Sequence, residues 1–324
     1  MTVIDVDGPY FEDLAVGRAL PPAPSVTLTT GLAAAHQAIV GNRLAVTVDH
    51  PLGVAVTGVP TPLVSPALAW DVSIGQSTTA THAVVANLYY RNLSFHRAPH
   101  IGDTLTTTTS VLGLRRNRPR PDRPATGLVL IGIRTVDQHG RTVLEYQRCA
   151  MVAARGDVTD AAAPPWPETA EAAPTTSHFE GWDLAPVRAR YGRSELAAGD
   201  EFRVAGGDVV SSAPELVRLT HNLAKVHHDA TVGGRRLVYG GHSIGLALHH
   251  LVRALPGLVT VTSWRSCDHT APVHEGDTLH SRIVVEDVVR TPDRTWASLR
   301  IIVRATRPEG ESDVLDWALT ALLP

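Results

Sequence analysis

The chain has 324 residues, 44% of them hydrophobic, a formal net charge of −3 and two cysteines. That is apolar content for two cored domains, and the small charge gives no general pull toward nucleic acid or an anionic membrane. Cys149 and Cys267 argue against a disulfide scaffold and fit a reducing compartment. The start, Met-Thr-Val-Ile-Asp-Val-Asp-Gly, is acidic where a secretory leader is basic. No stretch has the roughly 18 uninterrupted apolar residues of a membrane span, so a cytoplasmic location is expected.

In chain order, 30–40 has helical spacing, as does the longer segment 63–74. Three β-branched runs follow at 104–114, 127–136 and 142–152, and Asp137-Gln138-His139-Gly140 between the last two is a hairpin signal. Residues 155–190 are rich in alanine and proline over their first part, lack periodicity there, and read as a linker between units 1–154 and 191–324. The second unit repeats the order. A helix is predicted over 213–223, with Leu216 and Leu219 on one side, and a second over 241–255 with Ile244, Leu248, Leu251 and Leu255 at helical intervals. Strands are predicted over 259–264, 278–289 and 295–306.

The two units echo each other in sequence. Gly102-Asp103-Thr104-Leu105 recurs as Gly276-Asp277-Thr278-Leu279, and Glu12-Asp13-Leu14-Ala15-Val16-Gly17 is echoed by Ser194-Glu195-Leu196-Ala197-Ala198-Gly199. Matches in the same order at similar offsets are what a duplicated domain leaves behind. A long helix followed by antiparallel strands in each unit gives an α+β class, a sheet wrapped on a helix.

The chemically informative segment is 219–248. Asn222 and His227 are five residues apart, His228 and Asp229 follow at once, and Gly240-Gly241 opens the predicted helix. This combination resembles the active-site segment of the MaoC-like dehydratases, the (R)-specific enoyl-CoA hydratases of hotdog fold. Tyr10-Phe11-Glu12-Asp13-Leu14, Ala86-Asn87-Leu88-Tyr89-Tyr90, Asn222-x-Ala224-Lys225-Val226-His227 and Arg235-Arg236-Leu237-Val238-Tyr239-Gly240-Gly241-His242 resemble its mesaconyl-CoA hydratase (β-methylmalyl-CoA dehydratase) branch. The similarity runs through roughly 10–150 and 194–290.

The resemblance implies a double hotdog that reversibly hydrates a 2-enoyl-CoA, mesaconyl-CoA or a related short branched acyl-CoA, with no cofactor beyond the CoA of the substrate. A hydratase must hold one water at the β-carbon and move one proton at the α-carbon, so two polar groups must converge. His227 takes the role of general acid/base. Asn222 stands where the wider family has aspartate; an amide moves no proton at neutral pH, so it orients water or hydroxyl. The Gly241 N–H, at a helix start, receives the thioester oxygen as it becomes enolate-like, and Gly240 shares that role or permits close approach of the ligand. His242 and His269 are expected against the substrate, with turn capping the alternative for His269.

Moving back 182 residues from Asn222 and His227 lands on Val40 and Ala45, and Val64-Ser65-Pro66 stands near the Gly-Gly equivalent, so the first hotdog reads as degenerate. Arg115 and Arg116, in a run reaching Arg123, are candidates for the CoA phosphates; no aromatic residues interleave the run, which argues against nucleic acid. His228, Asp229 and His242 lack metal-site spacing, and no metal is expected. Pairing of sheet edges points to a homodimer. The rival readings are a hotdog thioesterase using Asp229 and a non-catalytic acyl-CoA-binding protein.

Overall fold

The computed structural model describes residues 2–3, 7–118, 123–156, 166, 177–232 and 234–324. In the first half a two-residue strand β1 (Val26–Thr27) leads to helices α1 (Thr30–Val40), α2 (Ala45–Val48), α3 (His50–Thr57) and α4 (Pro66–Gln76). Four long strands follow: β2 (Val84–Phe95), β3 (Thr104–Arg116), β4 (Thr126–Val136) and β5 (Thr142–Ala153). The second half carries α5 (Ala185–Tyr191), β6 (Glu201–Arg203), β7 (Asp208–Val209), α6 (Ala213–Leu219), α7 (Lys225–His228) and α8 (Gly240–Ala254). Its long strands are β8 (Thr260–His269), β9 (Thr278–Arg290), β10 (Thr295–Arg307) and β11 (Gly310–Leu323).

All strands join one antiparallel sheet in the order β1-β3-β4-β5-β2-β8-β11-β10-β9-β6, with β7 also on β9. The order reads as two copies of one pattern meeting at β2 and β8, where Tyr90 pairs with Cys267 and Tyr89 with Asp268. The short strands β1 and β7 both pair at the Thr-Leu of the repeated Gly-Asp-Thr-Leu. This is the double hotdog expected from the sequence.

Turn chemistry explains the repeat. Gly102 and Gly276 have φ of 94° and 89°, a region that favours glycine. Each following aspartate folds back on the chain: Asp103 Oδ2 accepts from the His100 N–H at 2.8 Å, and Asp277 Oδ2 from the His274 N–H at 2.9 Å. Either turn fixes the register of the strand that follows.

Helices α4 and α8 lie on one face of the sheet. Every residue of α4 is buried, as befits a helix without a polar face; Pro66 opens it, and the Ser65 hydroxyl accepts from the Ala67 N–H at 3.3 Å. Beneath α4 lies an aromatic cluster from both halves: Trp70 meets Trp264 at 4.8 Å and Trp317 at 5.8 Å, edge to face. Each such pair contributes about 0.5–1.5 kcal/mol beyond burial, so the halves share one core.

The structure adds α2, α3, α5 and the short strands β1, β6 and β7, and β8 runs to His269, five residues past the end predicted at 264; it differs from the predicted elements elsewhere too. Helix α6 stops at Leu219, because the Asn222 N–H bonds back to the Val217 carbonyl through a turn with His221 at φ 58°. Helix α4 begins at Pro66 rather than at residue 63. Strands β2 and β11 carry no clear strand signal in the sequence: in β2 amides, tyrosines and an arginine break both the period-two alternation and any continuous apolar run. Part of the predicted linker is packed structure. Phe179, Trp182, Leu184 and Val187 are buried, and the Asp183 N–H donates to the Val56 carbonyl; the remainder, 157–165 and 167–176, lies outside the described residues.

Candidate active site

The loop from α6 to α7 is fixed at both ends. Asn222 is buried, and its Oδ1 accepts from the Ala224 N–H at 3.0 Å, which turns the chain into α7. His228 Nε2 donates to the Asn222 carbonyl at 2.6 Å. The first half clamps the loop from outside: the Leu223 N–H donates to Thr78 Oγ1 at 2.8 Å and the Lys225 N–H to the His82 carbonyl at 3.2 Å. The Asn222 carbonyl oxygen is therefore committed to the turn, while the Nδ2 hydrogens take no part in it.

His227 sits on α7 with Nδ1 donating to the Leu237 carbonyl at 2.9 Å. In a neutral ring that bond leaves the lone pair on Nε2. Burial pushes the imidazole down to about 4, so the ring is a neutral base at physiological pH. Tyr239 packs against it edge to face at 5.8 Å.

Tyr239 is the residue before α8, whose first turn contains Gly240 and Gly241. The His242 N–H closes a turn onto the Tyr239 carbonyl, and the helix start supplies N–H donors and a positive dipole end. Neither glycine can carry a side chain without displacement. A β-carbon on Gly240 would stand 2.5 Å from the His269 ring, and one on Gly241 2.1 Å from Asp71 Oδ1.

Asp71 comes from α4 of the other half. Fully buried, it accepts from the Tyr239 hydroxyl at 3.1 Å and from His36 Nε2 at 2.9 Å. Burial raises its carboxyl above the ordinary carboxylate range. No sequence signal marked Asp71, His36 or Tyr239 as a unit, since the three lie on α1, α4 and the approach to α8.

His269 ends β8 with its ring on Gly240 and its edge toward Tyr90 at 5.8 Å. Its Nε2 is buried with no hydrogen-bond partner, and burial, reinforced by His227, holds it at about 4. His227, Gly240, Gly241 and His269 thus come together around Tyr239, and Asn222 opens the loop that carries His227. His242 is the next residue of α8; it is buried, its electrostatic neighbours are Glu275 and His36, and both ring nitrogens lack partners.

Arg115 and Arg116 are exposed at the end of β3. Arg115 stacks on Trp166 at 4.8 Å and acts on Tyr89 and Cys149, across the sheet from Tyr90 and the helices. Pro119–Asp122 of that run lie outside the described residues. Asp229 is exposed and accepts from the Thr231 N–H and hydroxyl.

The first half shows what the same frame looks like without the cluster. Asn42 Oδ1 accepts from the Leu44 N–H at 3.1 Å and begins α2 as Asn222 begins α7. The counterparts of Asn222 and His227 are therefore Asn42 and Thr47, not Val40 and Ala45; short insertions shift the alignment by two residues. Asn42 Nδ2 donates to Thr47 Oγ1 at 2.9 Å. Phe95, at the end of β2, stands in the place of His269, and the Ala67 N–H is taken by Ser65. A small cavity there, about 10 Å³, is lined by Thr47, Pro66, Phe95, Phe179 and Trp182.

No family model matches the chain. It is 29% identical to a β-methylmalyl-CoA dehydratase from Chloroflexus aurantiacus, over 98% of this chain and 97% of that one. It is 30% identical to a mesaconyl-CoA hydratase from Cereibacter sphaeroides, over 91% of this chain and 88% of the relative. Among solved structures, a conserved hypothetical double-hotdog protein from Mycobacterium tuberculosis superposes with a TM-score of 0.92 at 48% identity, covering 98% of this chain and 99% of that one. A putative MaoC domain protein dehydratase from Chloroflexus aurantiacus superposes at 0.85 and 26% identity, covering 100% and 99%. With this fold, these motifs brought together at α7 and α8, and relatives matched over nearly their whole length, the chain belongs to the MaoC-like dehydratases of double hotdog fold, in the mesaconyl-CoA hydratase and β-methylmalyl-CoA dehydratase branch.

Proposed function

We propose that the chain is a hydro-lyase that reversibly adds water to a 2-enoyl-CoA thioester, with its site in the second hotdog. The observation that carries this reading is the position of His227: Nδ1 is bound to the Leu237 carbonyl, so a neutral ring offers Nε2 as a base beside the start of α8. In the hydration direction Nε2 takes a proton from water while the water oxygen bonds to the β-carbon. The double-bond pair shifts toward the α-carbon and charge collects on the thioester oxygen, where the Gly241 N–H donates. The imidazolium then returns the proton to the α-carbon, which restores His227 and the thioester. Asn222 orients the water through its Nδ2 hydrogens.

The first hotdog, residues 1–154, acts as scaffold and as one wall of that site. Thr47 and Phe95 in place of histidines, and the small cavity lined by Phe179 and Trp182, support a retired centre there. The acyl group we favour is mesaconyl or a similar short branched one, by the names of the relatives. No helix among the described residues is long and apolar enough to cross a membrane, and we place the enzyme in the cytoplasm. The homodimer expected from edge pairing needs another surface, because the inner edges are used in β2–β8 and the outer ones end in short strands; sedimentation reads the assembly.

The test is absorbance at the enoyl-thioester band with crotonyl-CoA, mesaconyl-CoA and longer straight-chain enoyl-CoAs, with free thiol followed in parallel. Loss of the band without thiol release is expected. Thiol release would replace this reading with a thioesterase.

A further inference from the structure

Tyr239 stands immediately before α8 and is 3% exposed. Its ring meets the His227 imidazole edge to face at 5.8 Å, and a β-carbon on Gly241 would stand 2.4 Å from its Cε1. One side chain therefore touches both the histidine and the glycine of the site. Its hydroxyl donates to Asp71 Oδ1 at 3.1 Å, and Asp71 Oδ2 accepts from His36 Nε2 at 2.9 Å. Three buried side chains, from α1, α4 and the approach to α8, thus form a chain that ends on the ring beside His227.

The position before a helix favours Ser, Thr, Asp or Asn, whose short side chains accept from first-turn N–H groups. The Tyr239 side chain caps nothing. The Gly240 and Gly241 N–H groups, in the first turn, have no partner within the helix either, so they stay open to a ligand.

The internal repeat shows that the fold itself does not require this arrangement. The offset that relates Gly102 to Gly276 carries Ser65 to Tyr239 and Asp71 to Gly245. Ser65 does cap its helix, on the Ala67 N–H that corresponds to that of Gly241. Gly245 has no side chain, and a β-carbon there would stand 2.8 Å from Val40. The offset that relates Asn42 to Asn222 carries His36 to Leu216, which is apolar and buried. None of the three links is repeated on the side that faces the first hotdog's centre.

We propose that Tyr239, anchored through Asp71 and His36, is the positioning residue of this site: its ring props the His227 imidazole, and its failure to cap α8 leaves the Gly241 N–H free for the thioester oxygen. This rests on the hydratase reading above. The hydroxyl lies at the far end of a rigid ring, so a hydrogen bond there fixes where the ring edge meets His227. The first hotdog supplies no proton carrier, yet its buried acid aims the base of the second.

Tyr239→Phe keeps the ring and removes the anchor. Its kcat should fall about 10- to 100-fold, the scale of a displaced catalytic group, while calorimetric affinity for the non-hydratable butyryl-CoA stays within about threefold. Asp71→Ala should reproduce that loss, and Asp71→Asn, which keeps an acceptor for the hydroxyl, should restore most of it. This pair carries the test if Tyr239→Phe fails to fold. Adding Asp71→Ala to Tyr239→Phe should cost no further kcat, because both remove the same bond; a role in packing alone would lower the melting temperatures and leave kcat in place. Tyr239→Ser, the residue of the repeat, should weaken butyryl-CoA binding as well, since its hydroxyl takes the Gly241 N–H; unaltered binding would overturn the role given to the missing cap. Nitrogen NMR of isotope-labelled histidine reads the His227 ring without turnover, its signals identified by their loss in His227→Gln, and these should shift in Tyr239→Phe. Shifted signals in a chain that hydrates no enoyl-CoA would leave the anchor standing and sink the hydratase reading. Hydration with kcat unaltered in Tyr239→Phe would do the reverse.

Discussion

Gly241 of the second half and Asp71 of the first lie so close that a β-carbon on the glycine would stand 2.1 Å from the carboxylate. The same carboxylate holds the Tyr239 hydroxyl, and Tyr239 packs on His227. One buried acid of the first half therefore sets both the start of α8 and the flank of His227.

Gly241→Ala keeps the N–H, but its β-carbon clashes with Asp71 and the Tyr239 ring and must displace the helix start; a donor moved out of aim should lower kcat by up to roughly 100-fold, and the clash should lower the melting temperature. Combining it with Asp71→Ala removes the clashing oxygen. The double variant is then expected to be less destabilised than the two single losses added together, a coupling that a double-mutant cycle in urea reads directly.

His227→Gln should cut kcat by about 10²- to 10⁴-fold, the range for a positioned acid–base group, with little change in affinity for a non-reactive CoA ester. An unaltered kcat would remove His227 from the mechanism. Because the active ring is the neutral one and protonates near pH 4, kcat/KM should be level above about pH 5.5 and fall as acid approaches 4.

Stability should follow pH through the same groups. His227, His242 and His269 are all held at about 4 by burial, against an ordinary 6.5. Between those values the unfolded chain binds more protons, so stability rises with pH across that window and is complete above it. Urea midpoints should therefore drop from pH 6.5 to 4. His242→Leu should flatten that slope by up to about 1.4 kcal/mol per pH unit, the most one group can contribute.

Gly75→Ala probes the clamp on the loop. A β-carbon there would lie 1.7 Å from the Thr220 carbonyl and 3.3 Å from the Asn222 nitrogen. The expected cost is about 1–3 kcal/mol for overpacking, measured by urea unfolding, with a fall in kcat because the displaced segment carries Asn222.

Asn222→Ala loses both the turn bond to Ala224 and the amide over the water. A loss of about 1–3 kcal/mol corresponds to roughly a five- to hundredfold lower kcat. Asn222→Asp keeps an oxygen for the turn and should retain more activity than the alanine variant; equal loss in both would mean that only the Nδ2 hydrogens matter.

What the sequence determined by itself is local. The Gly-Asp-Thr-Leu turns are legible because their hydrogen bonds close within three residues. The Asn222-to-His227 spacing is legible because one turn and one short helix carry it, and Gly240-Gly241 because a helix start must leave room for a ligand. The tertiary structure decided whatever joins distant segments. It made Asn42 and Thr47, rather than Val40 and Ala45, the counterparts of Asn222 and His227. It buried His242 with both ring nitrogens unpartnered and set the His269 ring on Gly240. It also brought Asp71 to Tyr239 across 168 residues of chain and set Phe179 and Trp182 in the wall of the first half's cavity. Such contacts leave no spacing in the chain, because they depend on how two copies of one fold face each other across β2 and β8.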